Sequence, residues 1–443
     1  MKMRSLLVLV LALALVFVAA CGGNNGNGNS ANNGNAPTND AQNNNTGGAE
    51  NNGGAVVDDL QPEEGAKLLI WDSGEEKAFV EEMAAQFEAE YGVPVEFAEQ
   101  GADKSMGQMI TDGPAGVGAD VFTAVHDRTG SGVTSGVILP IDDATAEIVK
   151  SEAQELAVGA VTIDGQMYGI PRAVETTAVF YNKSLVPNGE FPEDFNAIKA
   201  FAKDFNNKAD NKYAYMWEIH NGYWSFGFFG GYGAYVFGNN GEDETDLGLN
   251  SESAVAAATF FQSLTEILPL QSTDVTADIK TSLFNEGKLA MNVSGPWQTQ
   301  EFKKSLGDNL GVHMYPKMDN GEILKPFSGV KALYINANTA YPDAATLLAR
   351  YMSSKEAQEK AFQMFGNIPA NKELGESELV QNDPFASVFL EQFKNSTPMP
   401  KIDAMAQYWA PIEAALASIW NDGTDPKAAM DNMVDQMRSA INQ

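Results

Sequence analysis

Beyond residue 60, apolar residues occur first in short continuous runs and then at helical spacing. Residues 67–71, a lysine followed by four apolar residues, predict a buried strand, and apolar residues at every fourth position from Phe79 to Tyr91 predict the buried face of a helix. Gly92 is suited to end this helix, and the run at residues 93–97 predicts the next strand. The order strand, helix, strand predicts an α/β fold with a mostly parallel sheet.

The same alternation continues to the end of the chain. Further strands are predicted near residues 120–124, 168–171, 178–181, 290–293 and 332–335. Further helices are predicted near residues 195–206, 253–267, 344–352, 355–365 and 425–441. Beyond residue 60 there is no internal repeat and no low-complexity segment. If the chain forms two lobes, we therefore expect short crossings between them and not a flexible linker.

The first twenty residues have the pattern of a targeting segment. Lys2 and Arg4 precede an unbroken apolar run at residues 6–18, which is too short for a comfortable membrane span and fits a secretory signal peptide. Small residues then lead to Cys21, the only cysteine of the chain. This ending resembles a bacterial lipobox, which implies cleavage before Cys21 and transfer of diacylglycerol to its thiol. The alternative is an ordinary signal peptide followed by an incidental cysteine.

A segment rich in Asn and Gly follows the cysteine. Residues 22–54 contain 13 Asn and 9 Gly, so they offer almost no apolar surface for a packed core. We expect residues 21–60 to form a flexible tether between a lipid on Cys21 and a folded domain. A Gly-rich coil of this length has a root-mean-square reach of roughly 30 Å. The predicted location is therefore the extracellular face of the cell membrane.

Composition and charge disfavour several classes of protein. The 443 residues include 59 acidic and 28 basic side chains, which gives a net charge of -31. Binding of nucleic acid, or of an anionic membrane through basic residues, needs patches of Lys and Arg, so neither is expected. One cysteine and three histidines also argue against a disulfide framework, an iron–sulfur cluster or a Cys/His metal site. We predict no metal and no cofactor.

Sequence motifs of common enzymes are absent. There is no P-loop, no Gly-x-Ser-x-Gly elbow, no His-Glu-x-x-His helix and no dinucleotide-binding glycine fingerprint. His126, His220 and His313 are interpreted as structural residues. A pair of carboxylates for glycoside hydrolysis stays open, because the abundance of acidic residues makes any chosen pair uninformative.

Aromatic residues are concentrated between Tyr213 and Phe237, where 11 of 25 residues are aromatic. Two further tryptophans stand apart: Trp297 follows Gly-Pro, and Trp409 follows a tyrosine. An aromatic ring offers a flat apolar face on which a sugar ring can stack, while carboxylates and Arg can bond the sugar hydroxyls. These rings can equally belong to a core, but Trp297, at the end of a predicted strand, is interpreted as a ligand contact.

Seven short strings carry a family resemblance. They lie at residues 69–77, 120–128, 173–183, 223–232, 284–297, 325–330 and 399–409. In this order they resemble the maltose/maltodextrin-binding proteins, the extracellular solute receptors of bacterial ABC sugar importers. The resemblance runs from about Glu64 to the end of the chain, nearly the whole predicted mature domain.

The resemblance implies a two-lobed periplasmic-binding-protein fold of type II, each lobe a mixed, mostly parallel sheet flanked by helices. The implied N-lobe comprises residues 61–172 and 330–366, and the C-lobe residues 176–327 and 372–443. Three crossings are expected near residues 172–175, 327–330 and 366–370. The resemblance further implies a monomer that binds maltose or maltodextrins between its lobes and delivers them to the permease subunits of an ABC importer.

The resemblance also implies a set of sugar-binding residues. They are the pair Asp127 and Arg128, the carboxylate Glu175 near a crossing, and the stacking rings Tyr223, Trp297 and Trp409. The family's first sugar-contacting pair, Asp-Lys, aligns with Glu75 and Glu76 here, and one of these two carboxylates is expected to accept bonds from the ligand.

Two other departures leave the ligand open. Ala124 stands where the family has a stacking tryptophan, and Glu413 stands where it has an arginine one turn after the last tryptophan. The class of ligand is expected to be unchanged, but its chain length and linkage stay open. Cyclodextrins, galacto-oligosaccharides and xylo-oligosaccharides are therefore alternatives within the same fold. An alternative of another class is a lipid-anchored glycan hydrolase.

Overall fold

Two large β-sheets organise residues 60–442, the part of the chain that this computed structural model describes. The predicted signal segment, Cys21 and the tether up to residue 59 lie outside the described residues. The strands are β1 (Leu68–Asp72), β2 (Val95–Glu99), β3 (Val121–Val125), β4 (Thr162–Ile163), β5 (Gln166–Met167), β6 (Gly169–Glu175), β7 (Ala178–Asn182), β8 (Tyr213–Met216), β9 (Asp243–Leu247), β10 (Leu289–Ser294), β11 (Leu310–His313), β12 (Phe327–Ile335), β13 (Ile368–Pro369) and β14 (Thr397–Pro398).

Helices precede and follow most of these strands. They are α1 (Lys77–Tyr91), α2 (Ala102–Asp112), α3 (Thr129–Thr134), α4 (Asp143–Glu152), α5 (Glu155–Ala160), α6 (Phe195–Phe205), α7 (Gly222–Gly231), α8 (Gly238–Gly241), α9 (Glu252–Ser263), α10 (Ala277–Asn285), α11 (Thr299–Leu306), α12 (Pro342–Met352), α13 (Lys355–Phe365), α14 (Lys372–Gly375), α15 (Glu378–Gln381), α16 (Ala386–Lys394), α17 (Trp409–Asn421) and α18 (Pro426–Ile441). None of the helices in residues 60–442 has the length and apolar character of a membrane span.

The first sheet has seven strands in the order β13-β6-β12-β3-β1-β2, with β14 pairing the start of β12. Strand β1 is parallel to both β2 and β3, as the opening strand–helix–strand pattern predicts. Strand β12 is antiparallel to β3 and β6. The antiparallel pairs arise because β6 leads the chain from this sheet toward the second one, whereas β12 brings it back.

The second sheet has four strands in the order β11-β7-β10-β8. Strands β10 and β8 are parallel, and β7 is antiparallel to β10 and β11. Each large sheet has its own hydrophobic core. Ile70, Phe79 and Phe122 are buried in the core beside the first sheet, and Trp217 and Phe261 in the core beside the second. The residue boundaries predicted for two lobes stay a prediction.

Every strand and helix predicted from apolar patterning is present within a few residues of its expected bounds. In α1 the predicted apolar face is confirmed, since Phe79, Met83 and Phe87 are buried. Gly92 ends this helix in the left-handed conformation, with φ of 72°, and its N–H donates to the carbonyl of Glu88. Several elements were missed, and α7 is the one that bears most on the cavity described below.

Candidate functional site

A cavity of about 520 Å³ lies between the elements that surround the two sheets, and we call it the central cavity. Its lining residues come from both halves of the fold: Ser73, Glu75, Ala102, Asp103, Val125, Asp127, Arg128, Glu175, Glu218, Asn221, Tyr223, Trp224, Ala277, Trp297, Gly329, Lys331, Met399, Trp409 and Glu413. Seven of the eight sugar-binding residues predicted from the sequence are among them. The eighth, Glu76, is not.

One wall of the central cavity is built where β3 ends. The strand runs into a 3₁₀ turn, His126–Arg128, which brings Asp127 and Arg128 to the cavity. His126 fixes this turn. The N–H of Val330 donates to its Nδ1 (3.1 Å), so Nε2 carries the proton and donates to the carbonyl of Met399 (2.9 Å). Burial lowers the pKa of His126 to about 4, which agrees with a neutral, structural imidazole.

Asp127 is buried in this wall, with 7% of its surface exposed. Burial raises the pKa of the Asp127 carboxyl to about 7, although the Arg128 guanidinium and the Trp409 indole oppose the rise. The Nε of Arg128 lies 3.6 Å from the Asp127 carboxylate. Asp127 and Trp409 both line the central cavity.

Helix α7 places two aromatic rings on the opposite wall. Asn221 caps the helix by accepting from the N–H of Tyr223 (2.9 Å), which brings Tyr223 and Trp224 to the cavity. The glycines of α7 permit close packing. A Cβ on Gly230 would lie 2.4 Å from the carbonyl oxygen of Lys325. Glycine disfavours helices in isolation, so this aromatic and glycine-rich stretch gave no helix signal in the sequence.

Trp297 reaches the same wall from the end of β10. The strand ends at Ser294, and the 3₁₀ turn Pro296–Gln298 folds the indole back over Gly295. A Cβ on Gly295 would lie 2.0 Å from this ring, so only glycine allows that position. The Gly-Pro-Trp string therefore has a packing reason, and the placement of Trp297 at a strand end is confirmed.

Aromatic rings follow one another along this wall. The ring centroids of Trp297 and Trp224 are 6.3 Å apart, and those of Trp224 and Tyr223 are 5.3 Å apart. Phe327, at the start of β12, continues the row with centroids 6.4 Å from both Tyr223 and Trp409. The predicted stacking rings are thus members of one row, with Trp224 as an addition that the sequence did not single out.

Charged groups from the two neighbouring strands β6 and β12 form the floor of the central cavity. The ammonium of Lys331 lies 3.0 Å from Glu175 and 3.1 Å from Glu76. Arg172 then bonds Glu76 at 2.5 Å and Asp72 at 2.7 Å. All five side chains are almost completely buried. We call this set the buried ion network.

The structure separates the two candidate carboxylates after β1. Glu75 lines the central cavity, and burial raises the pKa of its carboxyl. Glu76 has no exposed surface and lies in the buried ion network. Burial acts to raise the pKa of Glu76, but Arg172 and Lys331 outweigh it and lower that pKa to about 2. Glu75 is therefore the carboxylate available to a ligand.

The structure also locates Ala124 and Glu413, the two other residues that differ from the family pattern. Ala124 is buried on β3 opposite Ala332, belongs to the hydrophobic core beside the first sheet, and does not line the central cavity. Glu413 lies on α17, one turn after Trp409, and does line the cavity. Burial raises the pKa of the Glu413 carboxyl.

The balance of charge restricts what the cavity can hold. Six carboxylates line it, whereas Arg128 and Lys331 are the cations on its surface among the described residues. An anionic ligand would be repelled, but a neutral polyhydroxylated ligand would find acceptors for its hydroxyls and rings for its apolar faces. Within residues 60–442, no group of His, Cys, Asp or Glu side chains is arranged to hold a metal ion.

Lys331 is the most informative residue that the sequence analysis missed. It is a lone charge in β12, whose nine residues are otherwise uncharged and all buried. A buried charge needs a partner, so this pattern could have marked Lys331 as part of an ion pair. Asp103 and Glu218 carry no comparable signal, because isolated acidic residues occur throughout the chain.

Comparisons with known proteins show what this chain is similar to. A family model described as bacterial extracellular solute-binding protein matches residues 82–387. A galactooligosaccharide-binding protein of Bacillus subtilis is 30% identical over 388 residues, which cover 85% of this chain and 90% of the relative. A maltooligosaccharide ABC transporter solute-binding lipoprotein of Streptococcus pneumoniae is 30% identical over 373 residues, 83% of this chain and 87% of the relative.

A solved structure shows the same fold. The crystal structure of a cyclo/maltodextrin-binding protein complexed with maltotetraose matches with a TM-score of 0.70 and 33% identity. The match covers 85% of this chain and 97% of that one. The two-lobed α/β fold predicted from the sequence is thereby confirmed. The prediction that its sheets are mostly parallel is wrong, because both sheets are mixed and parallel pairs are not in the majority in either one.

Proposed function

Because the chain belongs to the bacterial extracellular solute-binding proteins, we propose that it is a receptor for maltodextrin-type oligosaccharides that serves an ABC importer. The observation that carries the proposal is the composition of the central cavity. It brings the rings of Tyr223, Trp297 and Trp409 together with the polar side chains of Asp127 and Arg128. Flat rings and short charge-assisted bonds are what a chain of neutral sugars needs.

Each proposed sugar-binding residue has a distinct role. Tyr223, Trp297 and Trp409 stack on the apolar faces of successive sugar units. Asp127 and Glu75 accept hydrogen bonds from hydroxyls, and Arg128 donates to hydroxyl oxygens. Glu175 orients Lys331 at the cavity floor and offers its remaining lone pairs to the ligand, since its carboxylate reaches the cavity beside Gly329.

The proposed mechanism is closure of the two lobes around the sugar. Asp127 and Arg128 lie on the wall that follows β3, whereas the rings lie on elements around the second sheet. A ligand that touches both walls binds the closed state more tightly than the open one and shifts the population toward closure. The chain leaves the first sheet after β6 and returns to it in β12, and these neighbouring strands act as the hinge. The permease subunits recognise the closed form.

The proposal includes an anchor at the membrane. Lipid on Cys21 and the Asn/Gly-rich segment of residues 22–54 hold the receptor at the extracellular face of the cell membrane, as a monomer. The net charge of -31 repels an anionic surface, so the lipid supplies the attachment. The receptor carries out no chemical step on the sugar.

A second candidate ligand within the same fold is a galacto-oligosaccharide. The relative from Bacillus subtilis that is 30% identical is named a galactooligosaccharide-binding protein. The chain also departs from the family pattern at two places, since Ala124 stands where the family has a ring and Glu413 adds a carboxylate to the cavity. Both changes act on the linkage and length of the sugar and not on its class.

A thermal-shift screen of the full chain tests the proposed function. The panel contains maltose, maltotriose, a cyclodextrin, a galacto-oligosaccharide and a xylo-oligosaccharide. We expect maltotriose to raise the midpoint of unfolding most, because ligand binding to the folded state stabilises it by mass action. A shift with the galacto-oligosaccharide alone would favour the second candidate. Release of glucose from maltotriose during incubation would instead favour the hydrolase alternative.

A further inference from the structure

A buried lysine lies directly behind the aromatic wall of the central cavity. Lys280, on α10, is 2% exposed and donates from Nζ to the carbonyl of Val293 at 2.7 Å. Its ammonium lies 4.4 Å from the centre of the Trp224 ring and 3.6 Å from Oε1 of Glu218. Lys280 itself does not line the cavity, whereas both Trp224 and Glu218 do.

Burying the ammonium of Lys280 costs free energy, which its contacts with neighbouring groups must offset. Burial of an ammonium disfavours its charged form and lowers the pKa of Lys280 to about 8, although Glu218 opposes the change. A buried pair of charges is often no more stabilising than apolar residues of similar volume. What Lys280 does provide is position: a cation over an aromatic ring and an ion pair fix where Trp224 and Glu218 stand.

The ring that Lys280 holds extends the row of stacking rings. Trp224 packs edge-on against Tyr223, at an interplanar angle of 85°, and against Trp297, at 60°. A disaccharide has two sugar rings, but the wall offers Trp297, Trp224, Tyr223 and Trp409. Beside Trp224, the Glu218 side chain is 17% exposed toward the cavity and can accept bonds from sugar hydroxyls.

We propose that Lys280 is a positioning residue that holds Trp224 and Glu218 as a subsite for an additional sugar unit, so that the receptor prefers oligosaccharides longer than a disaccharide. The inference rests on the proposed function of the central cavity. Trp224 stacks on the additional unit, Glu218 bonds its hydroxyls, and Lys280 acts through these two side chains without touching the sugar.

Calorimetric titration of the full chain with maltose, maltotriose and maltotetraose tests the subsite. In Lys280→Met, which keeps most of the length of the side chain and removes the charge, we expect about a ten-fold loss of affinity for maltotetraose and a clearly smaller loss for maltose. The matched control is Lys303→Met. Lys303 lies 4.4 Å from the Phe385 ring and 3.6 Å from Asp383, outside the cavity, and its removal is expected to leave all three affinities unchanged.

Two further measurements separate positioning from a general structural role. Glu218→Gln, which keeps the shape of the side chain, is expected to reproduce the loss that grows with chain length. In the wild type, the preference for maltotetraose over maltose should fall as pH rises from 7 to 9, because Lys280 loses its proton. The carboxylate of Glu218 is the charged group that raises the pKa of Lys280. The pKa of Glu218 is in turn influenced by the charges of His220 and Asp103. In Lys280→Met this pH dependence should disappear.

The outcomes distinguish the subsite from the proposed function itself. If the wild type binds the sugars but Lys280→Met and Glu218→Gln change all three affinities equally, or change none, the subsite is overturned and the proposed function stands. If the wild type binds none of the three sugars, the proposed function fails and the subsite fails with it. A preference of the wild type for maltose over maltotetraose would also overturn the subsite.

Discussion

The Nζ atom of Lys331 lies 3.0 Å from Oε1 of Glu175, and the two residues stand on the neighbouring strands β12 and β6. The same ammonium also contacts Glu76, which is held by Arg172, so the cavity floor is tied to the turn that follows β1. One lysine on β12 thus connects Glu175, a carboxylate on β6 that lines the central cavity, with the turn that follows β1.

Removing this lysine should destabilise the fold strongly. Lys331→Met leaves the carboxylates of Glu76 and Glu175 short of a cation in a buried site, and losing one partner of a buried pair costs about 3–5 kcal/mol. Urea denaturation of the ligand-free protein measures the change in the free energy of unfolding. The control is Lys427→Met, which breaks an exposed pair with Asp431 and should cost less than about 1 kcal/mol. Equal effects of the two variants would contradict the role of Lys331.

The lowered pKa of Glu76 predicts a loss of stability in acid. In the folded state this pKa is about 2, whereas the ordinary value is 4.5. The carboxylate therefore contributes stability that is present above pH 4.5 and is lost as pH falls toward 2. In Glu76→Gln, unfolding by urea should depend less on pH over that interval than in the wild type. Parallel pH profiles for the two proteins would show that Glu76 is not held as an anion.

The neighbouring residue provides a contrast. Glu75 lines the central cavity and is outside the buried ion network, so Glu75→Gln should weaken sugar binding while changing the free energy of unfolding by less than about 1 kcal/mol. Glu76→Gln should instead lower the free energy of unfolding, because Glu76 belongs to the buried ion network. If Glu75→Gln destabilised the protein and left binding intact, the assignment of the two carboxylates would have to be exchanged.

The raised pKa of Asp127 predicts opposite effects of pH on stability and binding. Because the folded state binds this proton more tightly than the unfolded state, stability falls as pH rises from about 4 to 7. Asp127→Asn removes the buried charge and should stabilise the ligand-free protein at pH 8 by roughly 2–4 kcal/mol, with little effect at pH 4. Urea titrations at the two pH values measure the difference. A variant less stable than the wild type at pH 8 would contradict the assignment.

The affinity for sugar should also depend on the ionisation of the Asp127 carboxyl. In the proposed function the ionised form of Asp127 accepts hydrogen bonds from sugar hydroxyls, so affinity for maltotriose should rise as pH increases through about 7. In Asp127→Asn the affinity should be lower and nearly constant over this interval. A wild-type affinity that falls with rising pH would show that the protonated carboxyl is the form that binds.

Much of the fold was predictable because its signals are local. The apolar spacing of Phe79, Met83 and Phe87 marks one helix face, and Gly92 marks its end, without reference to the rest of the molecule. Helix α7 was not predictable in this way. Its glycines are unfavourable for a helix on their own, and they are explained by the close approach of residues such as Lys325, which lies far along the chain.

The residues of the candidate site were likewise predictable where their signal is local and not where it depends on remote partners. The rings and the Asp127–Arg128 pair were found because their strings resemble a family, and the central cavity collects them. The buried ion network was missed because its partners are remote: Arg172 and Glu76 are 96 residues apart, and Lys331 and Glu76 are 255 apart. For that reason the sequence left Glu75 and Glu76 as equal candidates, and only their burial separates them.

Calorimetric titration with maltotriose, comparing the wild type with Trp297→Ala, is the most direct test of sugar binding in the central cavity. Loss of the Trp297 ring should weaken binding by about 1–3 kcal/mol, the scale of a lost buried aromatic contact. The control is Tyr235→Ala, which removes a ring that is 40% exposed and lies outside the cavity, and it should bind as the wild type does. An affinity for maltotriose that is the same in Trp297→Ala as in the wild type would contradict sugar binding at this site.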